Sequence, residues 1–176
     1  SEGISHIFYS LLNEGPKDGK DIILTSGFEH AAIVKCCEMY AERGFKVITI
    51  NTTNKGYVDL EHLAVLISEN KDQIALITAM AANNETGIIQ PYQEVGKLSQ
   101  DNGILFFSDT TQFIGKTAFD FQTANMDFAV LSSHKVGALI GSGCIIAKEP
   151  TLLKPFIVGG GQEKGLRGGT QNYIGV

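Results

Sequence analysis

Five short apolar runs, most of them separated by amphipathic helical stretches, constrain this chain more than any other feature. The runs are 21–26 (DIILTS), 46–50 (KVITI), 74–79 (IALITA), 104–109 (ILFFSD) and 127–133 (DFAVLSS). Each is short and largely apolar on both parities, as a strand covered on both faces must be. A sixth strand is expected from Gly143 to Ala147, antiparallel to the rest.

The stretches between them read as helices. Residues 2–14 carry Ile4, Ile7, Phe8, Leu11 and Leu12 at helical spacing and stop before Gly15-Pro16. From His30 to Arg43, Ile33, Val34, Cys37, Tyr40 and Ala41 share a face, and Gly44 stands where a left-handed cap belongs. Asn54-Lys55-Gly56 reads as a turn. Asp59 precedes Leu60, Leu63, Leu66 and Ile67 as an N-cap. Pro91 lies just inside a fourth helix, which Gly103 closes. Strands alternating with helices in this way predict an α/β fold, a mostly parallel sheet flanked by helices.

Such a sheet also predicts where a ligand goes, because polar residues just past the carboxyl ends of parallel strands line the binding crevice. The rule selects Glu29 and His30, Asn83 to Glu85, Asp109 to Gln112 and Ser132 to Lys135.

Composition narrows the classes. With 43% hydrophobic and 19% charged residues the chain is expected to fold as a soluble globular protein. A net charge of −5 without a basic run gives nucleic acid no footing. No apolar stretch approaches the roughly 20 residues of a membrane span. No secretory signal is visible, and three cysteines do not make a disulfide framework, so a cytoplasmic location is the expectation.

Several motifs fail on inspection. Gly115-Lys116-Thr117 ends like a P-loop, but position 110 is threonine where that motif needs glycine. No G-x-G-x-x-G follows the first strand. Histidines 6, 30, 62 and 134 and the cysteines show no metal-ligand spacing. Cys36 and Cys37 fall in a helix and read as buried structural thiols.

The sequence S-S-H-K at 132–135 is the richest constellation, together with Asp109 at the end of an apolar strand. A lysine shielded by a parallel sheet forms a Schiff base readily, and a carboxylate in the same cleft keeps a pyridine nitrogen protonated. Spacing alone favours a plainer alternative, an exposed lysine in a polar turn with Asp109 capping the next helix.

Five segments taken together change that balance. They are SGFEHAAI (26–33), AANNETGIIQP (81–91), SDTTQFIGK (108–116), LSSHK (131–135) and GGGQEKGLRGGTQN (159–172). In order and spacing the chain resembles the cysteine desulfurase branch of the class V aminotransferases, which are fold-type I enzymes dependent on pyridoxal 5′-phosphate (PLP). The resemblance implies that His30 stacks on the PLP ring and assists proton transfer. It implies that Asn84, with Asn83 as the alternative, lies near the substrate and the cofactor's phenolic oxygen. Asp109 matches the partner of the pyridinium nitrogen and Gln112 the contact to the phenolic oxygen. Ser132 and His134 match phosphate contacts, Lys135 the Schiff-base lysine, and Thr170 a threonine that reaches the phosphate of the neighbouring subunit in a homodimer. For Glu85 and Glu163 a structural role in their loops is the expectation.

The resemblance also implies what the chain does. The implied reaction converts L-cysteine to L-alanine, with sulfur passed to an enzyme thiolate and then to an acceptor protein of iron–sulfur assembly or tRNA thiolation. Residues 1–176 match the PLP-binding large domain. The family's T-[SG]-G-[AT]-T-E phosphate loop and its small domain, which carries the persulfide-forming cysteine and the carboxylate-binding arginine, are expected to lie outside it. None of Cys36, Cys37 and Cys144 matches that cysteine, so little or no desulfurase activity is expected of this chain alone. Ala138-Leu139-Ile140-Gly141 departs from the family's Gly-Pro-Lys-Gly turn after the lysine, and Asp109-Thr110-Thr111-Gln112 departs from the usual D-A-x-Q. A non-catalytic interaction or remnant protein, and another class V enzyme such as a selenocysteine lyase, are the alternatives.

Overall fold

The structure is a computed structural model that describes residues 1–175. Its centre is one sheet of six strands: β1 (Ile22–Ser26), β2 (Lys46–Ile50), β3 (Ile74–Thr78), β4 (Phe106–Asp109), β5 (Phe128–Ser132) and β6 (Gly143–Ala147). The spatial order is β2-β1-β3-β4-β5-β6. The first five strands are parallel, and β6 closes the edge antiparallel to β5, from Phe128 opposite Ala147 to Ser132 opposite Gly143. The expected α/β architecture is the observed one.

Alternation along the strands divides two cores. Ile22, Leu24, Ile77, Phe106 and Ala129 face one layer, formed by α3 (Leu60–Asn70) and α4 (Tyr92–Asp101). Ile23, Leu76, Phe107, Phe128 and Val130 face the other, formed by α1 (Glu2–Leu12) and α2 (Ala31–Ala41). Phe106, Phe107 and Phe128 are all fully buried. Neighbouring residues of one strand thus fill opposite cores, which is why these runs read as continuously apolar.

Helix boundaries follow the punctuation. Asp59 accepts the Glu61 and His62 amides at the start of α3. Gly44 and Gly103 take positive φ of 97° and 66° just past α2 and α4, where a side chain would be strained. Two expectations need correction. Pro91 is the residue before α4, not its first helical one. Val34 and Ala41 are exposed, because α2 turns Ile33, Cys36, Cys37 and Tyr40 inward. The neighbouring α1 covers the Cys36 side, where Ser5 Oγ approaches the thiol at 3.9 Å.

The segment after β6 runs back along α1. His6 Nε2 pairs with the Lys154 carbonyl at 2.7 Å, and Phe156 stacks on His6 with ring centres 5.1 Å apart. Arg167 grips both carboxyl oxygens of Glu2, at 2.7 and 3.1 Å, across 165 residues of sequence. Among the described residues no helix is long and apolar enough to cross a membrane.

Candidate active site

Four adjacent parallel strands, β1, β3, β4 and β5, end at the same edge of the sheet. Strands lie about 4.8 Å apart, so the residues just past them line one crevice mouth. In spatial order these are Glu29 and His30 after β1, Met80 to Glu85 after β3, Asp109 closing β4, and Ser132 to Lys135 at the end of β5.

His30 is the N-cap of α2. Its Nδ1 accepts the Ala32 amide at 3.1 Å, and the ring is exposed. With Nδ1 used as an acceptor, the proton of the neutral ring sits on Nε2.

The 81–87 loop is organised by Asn83. Its Oδ1 accepts from the Glu85 amide, the Thr86 amide and the Thr86 hydroxyl, while its Nδ2 donates to the Phe28 carbonyl. The side chain of Asn83 is therefore committed to the loop. Asn84 is exposed and its side chain makes no hydrogen bond among the described residues. Of the two asparagines, Asn84 is the one with donors and an acceptor to offer.

Asp109 is 6% exposed. Its Oδ1 accepts the Thr111 amide at 2.9 Å, and its Oδ2 takes no hydrogen bond among the described residues yet is not sealed from solvent. One oxygen thus fixes the carboxylate, and the other is left without a protein donor among the described residues. Gln112, half-buried on the turn after β4, accepts Lys116 Nζ through Oε1.

A 3₁₀ turn, Ser133–Val136, carries the chain out from the end of β5. Ser132 Oγ and His134 Nδ1 lie 2.9 Å apart. Lys135 is exposed and enters no ion pair among the described residues. The sheet does not shield this lysine: it stands exposed in a short turn past the strand end, as spacing alone favoured. The buried member of the turn is Ser133, whose Oγ contacts the Leu139 and Ser142 carbonyls at 2.8 and 2.7 Å. That hydroxyl, with Gly137 and Gly141 at φ of 90° and 91°, closes the Ala138–Gly141 turn without proline.

Thr170 lies apart from these groups, exposed in the segment after the Gly168-Gly169 pair. Beside it, the Gly169 amide donates to Gln162 Oε1 and Gln171 Nε2 to Glu163.

Two groups at this edge carry roles that spacing did not reveal. One is Ser133. The other is Glu29, whose Oε1 accepts the Met80 amide at 2.7 Å and the Ser26 hydroxyl. Its Oε2 is sealed from solvent without a partner, although the residue as a whole is only half-buried. Loss of hydration is the main cause that pushes the Glu29 pKa up to about 7, and the nearby Asp109 charge adds to it.

None of the cysteines is an activated thiol. Burial raises all three, Cys37 to about 12. Among the described residues no group of three His, Cys, Asp or Glu is gathered to hold a metal ion.

The model of the family described as aminotransferase class-V matches residues 1–175. The chain belongs to the class-V aminotransferase family. Among its curated relatives, the cysteine desulfurase NifS of Azotobacter vinelandii is 34% identical over 176 residues, all of this chain and 42% of that protein. Cysteine desulfurase IscS of Rickettsia bellii is 39% identical over 153 residues, 86% of this chain and 37% of that protein. Solved structures overlay closely. One described as SspA in complex with cysteine gives a TM-score of 0.90 at 30% identity, covering 99% of this chain and 50% of that one. A NifS-like protein gives 0.88 at 34% identity, covering 98% and 48%. The chain thus spans less than half the length of the curated relatives it matches.

Proposed function

We propose that this chain is the PLP-binding part of a cysteine desulfurase, and that Lys135 binds the cofactor covalently. The observation that carries the reading is the state of Asp109: a buried carboxylate at the crevice mouth with Oδ1 pinned by the Thr111 amide and Oδ2 open. The residues present fit the cofactor. The open Oδ2 is an acceptor for a ring N–H, and Lys135, on the turn after the adjacent strand, has a free amine. When bound, PLP supplies an electron sink for chemistry at the α-carbon of an amino acid.

The remaining roles belong to the chain's own groups. His30 carries its neutral proton on Nε2, the nitrogen left free by the helix cap, and moves protons there. When Ser132 donates to His134 Nδ1, His134 Nε2 keeps its proton and serves, with neighbouring donors, to hold a phosphate. Asn84 and Gln112 orient the cofactor's phenolic oxygen, Gln112 through the amide nitrogen that Lys116 leaves free. Thr170 serves the phosphate site of a second copy in a homodimer. The substrate is L-cysteine, the product L-alanine, and the sulfur goes by way of an acceptor protein. None of the three cysteines matches the family's persulfide-forming cysteine, and burial raises all three thiols, so the attacking role is assigned to none of them.

The test is an absorbance spectrum of the purified protein after addition of PLP and removal of the excess. The reading expects the band of a lysine-bound pyridoxal, lost in Lys135→Ala. A protein with no band refutes it and favours a second reading, action by association alone. Leu139, Ile140, Val158, Tyr173 and Ile174, all strongly exposed, are the observation behind that alternative.

A further inference from the structure

Glu29 is the one acidic group in the described crevice whose side chain ties two strand ends together. Its Oε1 receives the Met80 amide, 51 residues away, and the Ser26 hydroxyl at the end of β1. A second tie runs parallel to it, from Asn83 Nδ2 to the Phe28 carbonyl at 3.2 Å. Both hold the short 27–30 segment against the loop after β3, and the next residue is His30, the N-cap of α2. The charged groups about the carboxyl are few. Asp109 at the end of β4 opposes its ionisation, and the Cys37 thiol on α2 feels its charge. A sealed oxygen with no donor is a poor site for a negative charge, whereas a neutral carboxyl keeps Oε1 as acceptor and leaves Asp109 without a like charge beside it.

We infer that Glu29 is a positioning residue for the proposed cofactor site: it clamps the segment before His30 to the Met80 backbone and fixes where the His30 ring stands relative to Asp109. This rests on the reading of the site given above, although the clamp itself does not. Glu29 touches neither cofactor nor substrate; it acts through His30. The role predicts an asymmetry between variants. Glu29→Gln keeps an acceptor for Met80 and Ser26 and preserves the clamp, while Glu29→Ala removes it.

Two readouts separate the clamp from the cofactor reading. The first is amide hydrogen exchange of Met80 and Ala32 in the protein without PLP. In Glu29→Ala both amides should exchange at least about tenfold faster, while Thr110, bonded to Val130, does not change. In Glu29→Gln both should stay near wild type. Ala32 protection unchanged in Glu29→Ala overturns the inference. If Glu29→Ala does not fold, Ser26→Ala, which removes one donor to the same oxygen, should still speed Met80 exchange, and its failure to do so overturns the inference equally. The second readout is PLP affinity, expected to fall about tenfold or more in Glu29→Ala and less than about threefold in Glu29→Gln, the size of a lost positioning contact. A wild-type protein that binds no PLP refutes the cofactor reading and leaves the exchange result to decide the clamp.

Discussion

The His30 ring accepts the Ala32 amide through Nδ1 at 3.1 Å, so one side chain both closes the N-terminus of α2 and presents a single free nitrogen at the crevice. The two duties are separable by substitution. Asparagine and serine are better N-caps than most residues, and loss of a cap costs about 0.5–2 kcal/mol. His30→Asn should match or exceed wild-type stability in urea denaturation, while His30→Ala falls by about 1 kcal/mol, near the low end because the bond is exposed. Both should lose the proton-transfer role proposed for His30. Equal stability for Asn and Ala would show that the cap contributes nothing.

Glu29 gives folding stability a pH dependence whose sign is fixed. Its pKa lies near 7 when folded, against an ordinary 4.5. Below about pH 4.5 the proton is bound in both states and the contribution is complete. From there to about pH 7 the folded chain holds a proton that the unfolded chain has released, so stability falls as pH rises. Above that window the contribution is gone. The gap corresponds to about 3 kcal/mol. Urea midpoints at pH 5 and pH 8 should therefore show Glu29→Gln gaining on wild type by roughly 2–3 kcal/mol across the interval. A difference that is the same at both pH values would refute the assignment.

The sheet was legible because its strands are buried on both faces and punctuated by turns, so even the antiparallel β6 could be read. Its finer errors have physical causes. Ile104 is buried but has no partner in the β3–β4 ladder, which begins with Ile77 opposite Phe106, so apolarity alone extended β4 too far. On α2 the errors were Val34 and Ala41, exposed because α1 lies against the Cys36 side of the helix, a tertiary fact that a single helix's periodicity does not contain. The crevice residues were located by the strand-end rule before any family likeness, but their engagements were not. No local signal separates Glu29 from an exposed loop acid, since its partner amide belongs to Met80 on a different strand end. Lys135 shows the converse: spacing placed it in an exposed polar turn, and residues 133–136 do leave the strand as a short 3₁₀ turn.

Asp109 permits a cleaner test of the cofactor than deletion does. In Asp109→Asn the side-chain oxygen can still accept the Thr111 amide, so stability without PLP should change by less than about 1 kcal/mol. What is lost is the charge that the proposed site sets against the ring nitrogen, and a hydrogen bond to a charged group is worth about 1.5–3 kcal/mol. PLP affinity, followed by absorbance titration, should fall about tenfold or more. Wild-type affinity in this variant would remove Asp109 from the site.

Gly96 sets two effects against each other. Alanine in the middle of a helix is favoured over glycine by about 1 kcal/mol. A Cβ at position 96 of α4, however, would stand 2.8 Å from the Ala124 and Asn125 carbonyl oxygens and from the Asn125 Cβ. Two of those three contacts are backbone, which cannot swing away as a side-chain tip would. Overpacking of this kind costs about 1–3 kcal/mol, so Gly96→Ala should lower the melting temperature despite its better helix propensity. A rise would mean that the 124–125 segment yields freely.

Ser133 carries the last prediction, because the turn that bears Lys135 depends on it. The family-like glycine–proline turn is replaced here by Ala138-Leu139-Ile140-Gly141, whose residues have no rigid ring to hold them. The Ser133 hydroxyl instead joins the Leu139 and Ser142 carbonyls, while the Ala138 amide donates to the Ser133 carbonyl at 3.1 Å. A hydroxyl carries one proton, so it donates to one carbonyl at a time; Ser142 Oγ, 2.6 Å away, itself donates to the Gly175 carbonyl. Ser133→Ala takes the hydroxyl donor from the Leu139 carbonyl, while the Ser142 carbonyl keeps the Ser133 amide at 3.1 Å. The cost should be about 0.5–1.5 kcal/mol, the net worth of a typical hydrogen bond. The loss should be local: faster exchange of the Ala138 amide and weaker PLP retention, with the Leu24 and Ile77 amides of the central strands as protected as before. Global unfolding in step with the turn would instead mean that this edge of the sheet is part of the main cooperative unit.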